Sequence, residues 1–195
     1  MRQVYRDIMK APNLLSLVRI FMVPVLLYFA YNGRETYYFM ALVFSVFTDV
    51  LDGFVARHFN LFTELGSHLD SIGDFSIYIT ITIGAFLLWP QTFMEEIVYV
   101  GLIVLSFSLP SLIGLIKFHS VTSYHTISVK VAVLFTLISY FLLFTNISPW
   151  PFRIASFICC YAAIEEITIS FVLKKERVDV LSLWHALHYK KKRLS

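Results

Sequence analysis

The chain has 195 residues, 58% of them hydrophobic and only 15% charged, with a net charge of +3 and a mean hydropathy of +0.73. Soluble domains carry about a quarter charged residues, so this composition excludes an ordinary water-soluble globule and predicts an integral membrane protein. No feature points to a nucleic-acid partner. The cysteines, Cys159 and Cys160, are neighbours in an apolar run. Adjacent helix positions face different sides and make poor disulfide partners, so both read as small apolar fillers.

In chain order, the opening residues MRQVYRDIMKAPN lack the apolar core of a signal peptide. Residues 1–12 read as a juxtamembrane segment, either an amphipathic surface helix or a basic tail. Six apolar runs follow, each near the roughly 20 residues that cross the hydrocarbon: Leu14–Tyr31, Tyr37–Val55, Ile72–Trp89, Ile97–Ile116, Ile127–Phe144 and Phe152–Leu173. Asn32-Gly33, Trp89-Pro90 and Ser148-Pro149 punctuate them. Tyr37, Tyr38, Trp89 and Trp150 mark run ends, as an interfacial aromatic belt does. The runs are too long and too uniformly apolar for barrel strands. The expected fold is all-α, a polytopic membrane protein of six transmembrane helices forming one domain over residues 1–195. Residues 174–195 form a basic tail, read as a second surface helix or a solvated segment.

Six spans put both termini on one side. Arg2, Arg6, Lys10, Arg57, Lys117, Lys174, Lys175, Arg177, Lys190, Lys191, Lys192 and Arg193 fall on that side, against Arg34 and Arg153 on the other. The excess places the termini in the cytoplasm, along with the stretch from Asp49 to Asp74.

That stretch, DVLDGFVARHFNLFTELGSHLDSIGD, carries four aspartates in apolar surroundings. Asp49 and Asp52 are three apart, Asp70 and Asp74 four apart, so each pair shares a helix face. The expected architecture is two antiparallel helices with a short connection around Arg57 to Gly66. Four carboxylates in one pocket need protons or divalent cations, and oxygen-only ligands select hard ions, Mg²⁺ or Mn²⁺. The set suits two ions about 3.5–4 Å apart, an arrangement that clamps a phosphoryl group. Gly53 and Gly66 leave room for a ligand against helix backbone, and Arg57 suits a phosphate. The alternative is a structural cluster capping helices or pairing with Arg19 and Lys130, but intramembrane ionisable residues are functional by default.

The stretch matches D-x2-D-G-x2-A-R-x8-G-x3-D-x3-D at every fixed position and so resembles the signature of the CDP-alcohol phosphatidyltransferase family. The resemblance implies transfer of a phosphatidyl group from CDP-diacylglycerol to a small polar alcohol, with release of CMP. It implies that Asp49, Asp52, Asp70 and Asp74 hold two metal ions and that Asp74 is the general base. It also implies that Gly53, Ala56, Arg57 and Gly66 line the CDP site, and that the protein is a homodimer.

Before the motif, Pro12-Asn13-Leu14-Leu15-Ser16-Leu17-Val18-Arg19 is similar to a P-N-x-L-[TS]-x2-R pattern of the family's first span. Asn13 and Ser16 read equally as nucleotide contacts and as helix N-terminal caps. Arg19 lies deep enough to pair with a buried acid. After the motif, Lys117, His125, Thr126 and Lys130 form the expected acceptor site. Lys130 reads equally as a phosphate contact and as a partner for Glu165 or Glu166. Family members that take phosphorylated acceptors often carry Lys-Thr where this chain has His125-Thr126. Glycerol 3-phosphate is the leading acceptor, on the resemblance of the Arg19 pattern to phosphatidylglycerophosphate synthases, with inositol phosphate and serine as alternatives. A membrane prenyltransferase would lack the D-G-x2-A-R-x8-G core. A divalent-cation transporter would continue its acids or polar groups toward the outer ends of the second and third spans, where Thr80 and Thr82 are the polar exceptions.

Overall fold

The computed structural model describes residues 11–59, 64–118, 126–173 and 182–184. At residues 11–16, 49–50, 52–59, 64–71 and 74 it describes the backbone alone. The expected N-terminal surface helix, His125 and most of the basic tail lie outside the described residues.

The described elements are α-helices: α1 (Ala11–Tyr31), α2 (Glu35–Phe59), α3 (Glu64–Leu88), the short α4 (Pro90–Glu95), α5 (Ile97–Phe118), α6 (Ile127–Phe144) and α7 (Trp150–Val172). Among the described residues, α5, α6 and α7 are long and apolar enough to cross a membrane, and Leu17–Tyr31 and Phe75–Leu88 are shorter apolar stretches. The helices expose large apolar side chains, among them Phe44, Val98, Leu112, Leu134, Phe157 and Ile164. An outer surface of this kind is stable against lipid and aggregates in water. The protein is an integral membrane protein.

The punctuation expected from sequence has local causes. Gly33 ends α1 with a positive φ of 65°. The Arg34 amide donates to the Phe29 carbonyl at 2.9 Å and the Gly33 amide to Ala30 at 3.1 Å, closing the last turn as a left-handed cap does. Asn146, at φ 57°, does the same after α6, using the tolerance of asparagine for that region. Pro90 opens α4, where its missing N–H costs nothing.

The chain divides into two compact units, residues 1–91 and 92–195. In the first, α1 packs against both α2 and α3. In the second, α7 packs against both α5 and α6. The buried face of α7 carries Ala155, Ser156, Cys159, Ala162, Ala163 and Ser170, small residues that let helix backbones approach closely where lipid supplies no hydrophobic drive. Arg153, near the start of α7, grips Glu96, which lies between α4 and α5. Its Nε donates to both carboxylate oxygens at 2.9 and 3.2 Å and its Nη2 to Oε1 at 2.5 Å. The guanidinium also lies 5.4 Å from the Tyr99 ring centre and 5.2 Å from that of Trp150.

Candidate functional site

The acidic motif is carried almost wholly on helix. Arg57 lies within α2 and Gly66 within α3, which corrects the expected connection from Arg57 to Gly66. Only residues 60–63, outside the described set, separate the two helices. The sequence explains the extension: residues 55–59 hold no proline, and a helix tolerates single glycines such as Gly53 and Gly66 at about 1 kcal/mol each.

The far end of this unit fixes the register. The buried Tyr38, near the start of α2, lies against Gly84, near the end of α3, where an added Cβ would come within 2.7 Å of Tyr38 ring carbons. Phe39 stacks on Trp89 with ring centres 5.0 Å apart. The start of α2 therefore meets the end of α3, and the two helices run antiparallel. Asp52 lies fourteen residues after Tyr38, and Asp70 fourteen before Gly84. At the helical rise both fall about 21 Å below the Tyr38–Gly84 contact. Asp49 and Asp74 lie eleven and ten residues away, both about 15–17 Å below it. The backbone thus puts the four aspartates at two matched levels, one from each helix per level.

The same reckoning locates Arg19. Phe29 of α1 stacks on Tyr37 of α2, with ring centres 5.6 Å apart. Arg19 lies ten residues before Phe29 and Asp49 twelve after Tyr37, about 15 and 18 Å along their helices. Arg19 is 2% exposed, a buried cation near the level of the Asp49–Asp74 pair. Asn13 and Ser16 lie in the first two turns of α1.

The donor chemistry fits hard divalent cations: four carboxylates, no sulfur, and neighbouring positions on each helix. Among the described side chains, which do not include those of the four aspartates, no group of three or more His, Cys, Asp or Glu gathers that could hold a metal. The polar exceptions of α3 do not continue the site outward. The Thr80 and Thr82 hydroxyls donate back to the Ser76 and Tyr78 carbonyls at 2.7 and 2.9 Å, as hydroxyls in apolar helices do.

The residues expected at the acceptor have other neighbours in the second unit. Lys117 Nζ donates to the Ser170 carbonyl at 2.9 Å, satisfying the last turn of α7. It also lies over the Phe118 and Phe171 rings, 5.4 and 5.6 Å from their centres. Thr126 is fully buried and caps α6, its Oγ1 accepting from the Val129 amide at 3.3 Å. Lys130 is exposed. Glu165 accepts from the Ser128 hydroxyl and, at 3.0 Å, from the Leu183 amide. Sequence reasoning missed this last arrangement and the Arg153–Glu96 clamp, because neither has a fixed spacing. The one available signal was two acids, Glu96 and Glu165, in apolar contexts that demand partners.

Apolar helices, two of which carry an acidic motif, define a membrane protein. Comparison with known families makes this specific. The sequence profile described as CDP-alcohol phosphatidyltransferase matches residues 9–172, and the chain belongs to that family. The CDP-diacylglycerol–glycerol-3-phosphate 3-phosphatidyltransferase of Aquifex aeolicus is 39% identical over 66 residues, 34% of this chain and 37% of that protein. The CMP-forming cardiolipin synthase of Rattus norvegicus is 35% identical over 95 residues, 46% of this chain and 32% of that protein. Its human counterpart is 32% identical over 96 residues, 47% of this chain and 32% of that protein. The matched segments span 32–37% of the length of these relatives. No solved structure matches the chain.

Proposed function

We propose that the protein transfers the phosphatidyl group of CDP-diacylglycerol to a small polar alcohol and releases CMP, in phospholipid biosynthesis. The observation that carries the proposal is the matched register of Asp49 with Asp74 and of Asp52 with Asp70 on antiparallel helices, in a chain of this family.

Asp49, Asp52, Asp70 and Asp74 hold the metal ions, two of Mg²⁺ or Mn²⁺. When bound, these ions offset the charge of the carboxylates and of the diphosphate, and polarise the phosphorus under attack. Gly53, Ala56, Arg57 and Gly66, with Asn13 and Ser16, bind the CDP portion. Arg19 offsets part of the remaining negative charge. Asp74 takes the proton of the acceptor hydroxyl as its oxygen forms a bond to the phosphorus that bears diacylglycerol. The bond from that phosphorus to the bridging oxygen breaks, and the electron pair leaves on CMP. A carboxylate is a weak base for an alcohol, so positioning contributes much of the rate.

Glycerol 3-phosphate is the proposed acceptor, supported by the name of the Aquifex relative and by the Arg19 pattern. Lys117, His125, Thr126 and Lys130 are assigned to acceptor recognition, with Thr126 shaping the start of α6. A cardiolipin-forming reaction is the second reading, favoured by the longer alignment with the rat enzyme. The proposal includes a single family domain of six spans, in which α1, α2 and α3 cross the membrane as α5, α6 and α7 do. It places both termini and the aspartates on the cytoplasmic side, as the lysine and arginine distribution requires, and pairs the chain as a homodimer on the family resemblance. A screen of alcohols with purified protein and CDP-diacylglycerol tests the proposal, reading CMP and the mass of the lipid product. Metal-ion flux through proteoliposomes without CMP would replace it with the transporter reading.

A further inference from the structure

We infer that Glu165 is a positioning residue that locks residues 182–184 onto the start of α6 and thereby sets acceptor affinity; the kinetic part of this inference rests on the acceptor reading above. Glu165 belongs to α7, between buried Ala162 and Ile169. A carboxylate in such a helix is costly unless its oxygens are satisfied. Both are. Oε2 accepts from the Ser128 hydroxyl and Oε1 from the Leu183 amide.

The hydrogen-bond directions around Ser128 follow from donor counting. A serine hydroxyl has one proton, and that of Ser128 goes to Glu165. The 2.9 Å contact between Thr126 Oγ1 and Ser128 Oγ is therefore donated by Thr126. The Thr126 oxygen in turn accepts from the Val129 amide. A directed chain thus runs from Val129 through Thr126 and Ser128 to Glu165, and the Leu183 amide meets the same carboxylate from the other side. Apolar contact reinforces the dock. Leu183 and Phe118 pack on the buried pair Ile169 and Leu173, while Lys117 binds the Ser170 carbonyl in the same last turn of α7. One carboxylate therefore joins three parts of the second unit: the first turn of α6, the end of α7 and residues 182–184.

Two substitutions separate the arms. Glu165→Gln leaves one acceptor oxygen where two donors converge. Leu183→Pro removes the amide donor together with the leucine's packing on Ile169 and Leu173, and leaves the Glu165 carboxylate and α7 intact. Hydrogen exchange of the peptide containing Leu183, followed in the full chain in micelles, should accelerate roughly tenfold or more in both variants, the scale of losing a hydrogen bond to a charged acceptor. With CDP-diacylglycerol and glycerol 3-phosphate, KM for glycerol 3-phosphate should rise roughly fivefold or more, a loss of orientation, while KM for CDP-diacylglycerol and kcat stay near the parent values. Unchanged exchange in Glu165→Gln overturns the dock. Faster exchange with unchanged acceptor KM, or an equal loss in every kinetic parameter, overturns the positioning role. A parent protein that releases no CMP with glycerol 3-phosphate sinks the acceptor reading and the kinetic part with it, while the exchange result still decides the dock.

Discussion

The ring of Tyr38 occupies the space that a side chain at position 84 would fill, so α2 and α3 cross at a tyrosine set into a glycine. This contact lies at the opposite end of the helices from residues 60–63 and, with the helical rise, sets the level of each aspartate along its helix. A buried aromatic ring has little freedom to yield, and Tyr38 is 0% exposed. Gly84→Ala should destabilise the protein by about 1–3 kcal/mol through overpacking. Tyr38→Ala should cost about 3–5 kcal/mol through the cavity it leaves. Thermal unfolding in micelles measures both, and the double variant should cost less than the sum, since each change relieves the other. Strict additivity would show that the two side-chain positions do not set the crossing.

The Arg153–Glu96 clamp gives a second expectation. Glu96 is 3% exposed and Arg153 meets both of its oxygens. Arg153→Met strands a buried carboxylate, whereas Arg153→Met with Glu96→Met removes the pair together. The single variant should lose more thermal stability than the double, because an unpaired buried charge is worse than an apolar replacement. A double variant less stable than the single would assign the clamp a net stabilising role of its own.

Lys117 separates capping from acceptor recognition. Lys117→Met removes the donor to the Ser170 carbonyl and the charge together. Lys117→Arg keeps the charge and a donor but changes the geometry. Recognition of a phosphorylated acceptor predicts a KM for glycerol 3-phosphate raised roughly tenfold in Lys117→Met and largely restored in Lys117→Arg, the scale of one charged hydrogen bond. An unchanged KM with lowered thermal stability would confine Lys117 to the end of α7.

For Asp74, loss of a general base predicts a fall in kcat of about 10²–10⁴ on Asp74→Asn, with CDP-diacylglycerol still bound. CMP release at the parent rate from Asp74→Asn would remove it from the chemistry.

Much of this was legible in the chain itself. The helical class followed from long apolar runs, and Asn32-Gly33 and Trp89-Pro90 marked real helix ends. The aspartate spacings told which residues share a helix. They could not tell that α2 and α3 continue through Arg57 and Gly66, because local sequence there carries polar residues that read as loop while helix geometry tolerates them. Nor could they give the register between the helices, which depends on Tyr38 meeting Gly84 across forty-six positions of sequence. Apolarity identifies α5, α6 and α7 as spans among the described residues. The partners of Glu96 and Glu165 were invisible for a different reason. Each lies on another helix or segment, at separations that no short pattern encodes.

The central claim is that the matched aspartate levels hold divalent metal for phosphatidyl transfer. The most direct measurement is CMP release from CDP-diacylglycerol, titrated with Mg²⁺ or Mn²⁺ after chelation, in the parent protein and in Asp52→Asn and Asp70→Asn. The account predicts no release without metal, restoration in the parent, and loss of about 10² or more in both variants even at saturating metal, since removing one member of a metal-ligand set disables the whole. Metal-independent release, or parent-like titration curves in the two variants, would contradict it.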